Sequence, residues 1–241
     1  EEREMGPLAT LHAAGLDGAG TVVELNGRRW SVRMHDEAGL LNVNKAEEEQ
    51  LRRYFEQIGV DPSRAVEITH QILDWRDDDD FVRPRGAEAT EYDRRGVVIR
   101  NGSLVSLDEL LYLPAMDRDI FDRMRRSTTL IGDGEIHAPT APREVIASAP
   151  GVTEATVERI IALRRGGALT RDALEDALLG FGRESVKLFR FDPTSYVRIR
   201  VTSLDRRLPD FEAVAIVDDE RGVRIGQFTT VPSAQSAART E

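Results

Sequence analysis

Strand patterning brackets this chain, and helical patterning fills the interval between. TVVEL over residues 21–25 and RRWSVRM over 28–34 flank Asn26-Gly27, a dipeptide that readily supplies the two positive φ angles of a type I′ turn, so a β-hairpin is predicted. Beyond Phe189 the period returns to two: YVRIRV at 196–201, EAVAIV at 212–217 and VRIGQFTT at 223–230 alternate and are bounded by Asp, Pro or Gly. The simplest arrangement joins these strands to the hairpin in one antiparallel sheet. The helical interval then enters between the second and third strands. The class is α+β.

Within the interval, residues 46–58 carry Leu51, Tyr54, Phe55 and Ile58 on one helical side. Asp61 can cap the next helix and Pro62 suits its first turn, with Ala65, Val66, Thr69, Ile72 and Leu73 on the buried face. Ser106 and Glu109 form a capping box opening a helix over DELLYL that Pro114 ends, and Asp117 caps a helix over 118–126. Thr140 and Pro142 start a helix through Ser148 and Thr153 starts one through Arg164, the two joined at Pro150-Gly151-Val152. LLYLPAMDRDIFDRM at 110–124 overlays IASAPGVTEATVERI at 146–160, with Pro114 on Pro150 and Phe121 on Val157. The approaches LLNVNKA (40–46) and EIHAPTA (135–141) echo each other too. Residues 45–190 therefore read as an all-helical region of two related helix-hairpin-helix (SAM-like) halves, about 45–130 and 131–190, since one such hairpin cannot bury its apolar face alone. Residues 1–44 and 191–231 supply the sheet, residues 1–20 read as weakly structured, and the tail 232–241 reads as disordered.

Charge narrows the function classes. The 241 residues hold 33 Lys plus Arg against 43 Asp plus Glu, a net charge of −10, which gives no general attraction to nucleic acid or anionic lipid. No cysteine is present, which removes disulfides, thiolate metal sites and cysteine nucleophiles. No apolar run reaches the roughly 20 residues of a spanning helix. His12, His35, His70 and His137 show no zinc-ligand spacing, and His70 with Asp74 reads as a surface or packing pair. GxSxG, P-loop and strand-linked GxGxxG motifs are missing, so no enzyme is expected.

Two constellations remain. The Pro150-Gly151-Val152-Thr153 turn resembles DNA-binding helix-hairpin-helix turns in apolar spacing, and a DNA-binding protein is the alternative function. Thr153 and Glu154 stand where such a turn offers glycine and an open phosphate site. The second constellation is acidic. Asp74, Asp77, Asp78, Asp79, Asp80, Glu88, Glu91 and Asp93 crowd a loop around Pro84-Arg85-Gly86. Calcium takes 6 to 8 oxygen ligands, and this loop could offer them, although the spacing is not that of an EF-hand. The other reading is a solvated acidic loop.

LLNVNKA, then ILDWRDDDD with RPRGAE and Tyr92, then LVSLDELLYLPAM, then TAPREVIASAPGV, occur in the order and spacing of the type II secretion system minor pseudopilin K, the general secretion pathway protein K. The resemblance covers residues 21–201. It implies a pilin-like sheet domain carrying a large helical insertion. It also implies a hydrophobic N-terminal inner-membrane helix, which would have been removed from this sequence and would be its only membrane contact. A non-enzymatic, periplasmic role at the pseudopilus tip is implied, with minor pseudopilins I and J as partners, the major pseudopilin below and no nucleic acid. Calcium in the helical domain is implied as well, with Asp74, Asp77, Asp79 and Glu88 at the matching positions. IHAPTAP departs from the family's INVNTAP, placing His137, Ala138 and Pro139 in the polar turn.

Overall fold

The computed structural model describes residues 16–178, 186–192, 194–205, 208, 210–218 and 220–231. Two compact units emerge: Glu1–Gly39 with Asp192–Glu241, and Leu40–Phe191. The expected tail from 232 and residues 1–15 lie outside the described residues.

The first unit is the sheet. Strands β1 (Asp17–Leu25), β2 (Arg28–Asp36), β7 (Tyr196–Ser203), β8 (Asp210–Asp218) and β9 (Gly222–Val231) lie in that order, each pair antiparallel. Asn26 (φ 54°) and Gly27 (φ 69°) make the turn between β1 and β2, the pair of positive φ angles that a type I′ hairpin needs. Strand β1 starts earlier than the weakly structured stretch expected through residue 20. Gly18 and Gly20 hide the strand from propensity. The register shifts between Asp17 and Gly20, and Gly18 (φ 81°) lies so close to His35 that a Cβ there would meet its Nε2 at 1.9 Å.

Alternation sorts the sheet's side chains. Met34 opposes Ile199, Val32 opposes Val201 and Val201 opposes Phe211, while Trp30 lies 6.5 Å from the Phe211 ring. Leu16, Val197 and Val217 form the small buried cluster, with Met34 and Ile199 packed on it. The other parity is charged. Arg198 reaches Glu37 through Nε (2.8 Å) and Nη2 (3.1 Å), both residues buried, and Arg200 Nε donates to Glu212 at 3.0 Å.

The second unit contains α1 (Glu48–Gln57), α2 (Pro62–Arg76), α3 (Ala89–Asp93), α4 (Arg118–Met124), α5 (Arg143–Ser148), α6 (Glu154–Arg165) and α7 (Arg171–Leu178). Its core joins Tyr54, Phe55, Ile68, Ile72, Leu110, Phe121, Val145 and Ile160, all essentially solvent-free. Asp61 accepts from the Ser63 and Arg64 amides, Asp117 from Ile120 and Thr153 from Thr156, so all three expected caps form.

Two expectations need correction here. DELLYL is not α-helical: Leu107–Tyr112 is a 3-10 helix, although the Ser106/Glu109 capping box is present. Leu113 is extended because it precedes Pro114, which ends the segment. The interval is not all-helical either. Leu41–Asn42 (β3) pairs in parallel with Thr128–Thr129 (β4), and Ile136–His137 (β5) with Phe189–Arg190 (β6). Each approach segment thus pairs with the end of its own half. Two-residue strands carry no periodic signal, so the sequence could not announce them.

Candidate metal centre in the acidic loop

Helix α2 ends where the acidic run begins. Its last turn carries Asp74 on the inward face beside Ile72, Leu73 and Trp75, and Asp74 is 0% exposed. Trp75 fixes the neighbourhood: its Nε1 donates to Glu109 Oε2 at 3.2 Å, its ring meets Tyr92 edge-on at 5.0 Å, and it stacks on Tyr112 at 6.3 Å. Asp77 caps the helix in extended conformation and turns the chain outward. Residues 83–86 then turn it back, with the Gly86 amide donating to the Arg83 carbonyl at 2.9 Å. Pro84 presets the first central φ of that turn. Gly86 has a second reason to be glycine. A Cβ there would stand 1.7 Å from Asp74 Oδ2, so the return strand can cover Asp74 only with hydrogen at this position.

Arg83 is the residue that the sequence reading passed over. Its Nη1 donates at 2.6 Å to Asp74 Oδ1 and at 2.6 Å to Asp77 Oδ2, and its backbone N–H donates to Asp74 Oδ2 at 3.2 Å. Burial works against the guanidinium charge, but the bonds to Asp77 and Asp74 outweigh it and raise the Arg83 pKa above its ordinary value. The signal for this role was a basic residue just before Pro84, at the point where the acidic run doubles back.

Glu88 is placed differently. It is 5% exposed, and neither Oε1 nor Oε2 has a hydrogen-bond partner. Burial pushes its carboxyl up from 4.5 to about 7, with the charges of Asp74 and Asp77 adding to the rise and the Ala89 amide offsetting part of it. Tyr92, one turn on, is fully buried with an unpartnered hydroxyl, and burial first, then Asp74 and Glu88, raise its pKa. Glu88 lines a cavity of about 610 Å³ with Gln71, Asp80, Gly86, Glu91 and Arg94 among its walls.

Of the four sequence candidates, the structure gathers Asp74 and Asp77 on Arg83 and sets Glu88 within reach of their charge. Asp79 is exposed. Its Oδ1 accepts from the Phe81 amide at 2.8 Å, while its carbonyl accepts from Asn101 Nδ2 at 3.0 Å. The donor set is all carboxylate, which is the chemistry calcium takes. Three of its oxygens, both of Glu88 and Oδ1 of Asp77, are buried without partners. With Arg83 on Asp74 and Asp77, no group of three or more His, Asp or Glu side chains among the described residues is disposed to hold a metal as it stands. His70 pairs with Glu48 (3.3 Å) rather than with Asp74, whose two oxygens belong to Arg83.

The other constellation is committed internally. Gly151 has φ 76° in the α5–α6 turn, and Arg53 from α1 donates to the carbonyls of Ala147 (2.8 Å) and Val152. Arg143 pairs with Glu154 and, at 2.6 Å, with Glu158. A phosphate at this turn would meet Glu154 at the helix start. His137 is buried, bonded to Thr140 Oγ1 (2.8 Å) and the Phe191 carbonyl (2.9 Å).

Residues 25–133 match the model of the type II secretion system (T2SS), protein K. That segment holds the whole acidic loop. No curated protein matches this chain. Its fold matches a chain of the crystal structure of the GspK-GspI-GspJ complex from the enterotoxigenic Escherichia coli type 2 secretion system. That match has a TM-score of 0.67 and 16% sequence identity, over 89% of this chain and 84% of that one. The shared fold extends beyond the matched family segment. Among the described residues, no helix is long and apolar enough to cross a membrane.

Proposed function

We propose that this chain is a minor pseudopilin that sits at the tip of the type II secretion pseudopilus, assembles there with minor pseudopilins I and J above the major pseudopilin, and acts by assembly rather than catalysis. The match of residues 25–133 to protein K carries the reading. The likeness in fold to a chain of a GspK-GspI-GspJ complex supports the choice of partners. A body the size of residues 40–191 suits an end position, because a uniform filament has no room for it within the stack. The described domains would face the periplasm, held there by an inner-membrane helix.

Within the same reading the acidic loop takes a calcium ion through Asp74, Asp77 and Glu88, with Asp79 at its outer edge. Glu88 supports this, being buried with both oxygens unpartnered. A bound dication would neutralise carboxylates that otherwise repel and would tie the end of α2 to the start of α3.

The test is to mix the chain with purified I and J and to follow the mixture by size-exclusion chromatography with light scattering. A ternary complex is expected. Separate elution of this chain from I and J at tens of micromolar would end the tip assignment.

A further inference from the structure

We propose that the exposed apolar surface formed by residues 81–112 is a docking face for another protein, and that it takes a segment in which Lys or Arg side chains are interleaved with apolar ones. It uses side chains open to water and none of the carboxylates assigned to the ion above.

Among the described residues of the unit Leu40–Phe191, the exposed large apolar side chains are Phe81, Val82, Val98, Val105 and Tyr112, all from one stretch of chain. Phe81 is 83% exposed, Val98 86% and Val105 67%. The same stretch also supplies core: Val97 and Ile99 pack inward while Val98 between them does not, and Leu104 is buried while Val105 is open. Water rewards no apolar side chain at such outward positions, and a group of them gathered in one place marks an interaction surface.

Trp75 gathers them. Its carbonyl accepts from the Gly102 amide at 3.1 Å, its Nε1 donates to Glu109, and its ring lies parallel to that of Tyr112. Glu109 Oε1 in turn accepts from the Val105 amide at 2.8 Å. Asn101 Nδ2 donates to the Asp79 carbonyl at 3.0 Å and to Asp80 Oδ1 at 3.1 Å, which ties the Phe81–Val82 tip to the segment between Val98 and Val105.

Charge chooses the occupant. Residues 77–112 hold nine Asp and Glu against five Arg. Arg83 is taken by Asp74 and Asp77, Arg85 by Glu67, and Arg94 and Arg95 by Glu91, whereas Asp78, Asp80, Asp93 and Asp108 are exposed. A second copy of this chain would bring the same negative charge to the contact, and nucleic acid or an anionic lipid surface would be repelled as well. A basic and apolar segment fits both parts of the face: its apolar residues cover Phe81, Val98 and Val105, and its cations meet the aspartates around them.

The experiment is fluorescence anisotropy on the full 241-residue chain in EGTA, with a labelled amphipathic peptide of Lys and Leu as probe and its Glu/Leu and Lys/Ser counterparts as controls. Wild type is expected to bind the Lys/Leu peptide, less tightly as salt rises, and to bind both counterparts at least about tenfold more weakly. Phe81→Ser/Val98→Ser is expected to lose at least about tenfold, since two large apolar side chains no longer become buried on binding. Val22→Ser/Leu25→Ser, at exposed apolar positions of the sheet, is expected to bind as wild type does. Asp78→Asn/Asp93→Asn is expected to weaken binding and to flatten its salt dependence. All these positions are open to water, so the variants keep the wild-type urea midpoint. Equal binding by wild type and Phe81→Ser/Val98→Ser would reduce the effect to a general attraction between a cation and an acidic chain and overturns the docking face. Absence of binding at hundreds of micromolar peptide overturns it too.

Discussion

Replacing Glu88 by glutamine in calcium-free buffer keeps the shape of the buried side chain and removes its charge. Glu88 ionises at about 7 in the folded chain against 4.5 ordinarily. Below pH 4.5 the carboxyl is protonated in both states and costs nothing. Between 4.5 and 7 the unfolded chain loses the proton while the folded chain keeps it, so stability falls as pH rises, and the loss is complete above 7. The rise from 4.5 to about 7 corresponds to roughly 3 kcal/mol at about 1.36 kcal/mol per pH unit. For a body of this size that is about 6–12 °C in Tm. The Gln amide can also donate to the carboxylates that repel Glu88. Thermal unfolding in EGTA from pH 4 to pH 8 should therefore give curves that meet at pH 4 and separate upward through pH 7, with Glu88→Gln the more stable. Wild-type and variant curves that run parallel across this range would refute the buried, unpartnered carboxylate. Calcium should reverse the order at pH 8, since the ion stabilises the charged form that Gln cannot supply.

Other outcomes follow from single contacts. Gly86→Ala places a methyl 1.7 Å from Asp74 Oδ2 and should cost about 1–3 kcal/mol in urea unfolding, with loss of Trp75 near-ultraviolet signal as the loop shifts. Arg53→Met strips the Ala147 and Val152 carbonyls of their donor and should cost about 1–3 kcal/mol; an unchanged midpoint would show that the α5–α6 turn does not depend on it. Glu37→Gln breaks the buried pair with Arg198 and should cost roughly 3 kcal/mol, measured by urea unfolding of the whole chain.

Legibility followed the range of the interaction. The Asn26-Gly27 turn, the caps at Asp61, Asp117 and Thr153, and the three strands after residue 195 depend on neighbours within a few positions, and all were readable. DELLYL was misjudged because capping chemistry marks where a helical segment starts and not which helix it becomes; Pro114 decided that. The parallel pairs β3–β4 and β5–β6 were invisible, since each brings together residues dozens of positions apart with no period of their own.

The candidate site divides the same way. Composition alone located an acidic loop after α2, because self-repelling carboxylates are visible without coordinates. Their roles were not visible. Asp74 and Asp79 look alike in the chain, yet one is sealed behind Gly86 and held twice by Arg83 while the other lies in water. Glu88 and Glu91 lie three apart, yet Glu88 lacks a partner and Glu91 pairs with Arg94 and Arg95. A residue's type sets the charge it can carry. Burial and the position of one guanidinium set what that charge costs, and both arise only when the turn at 83–86 folds the loop back onto the helix.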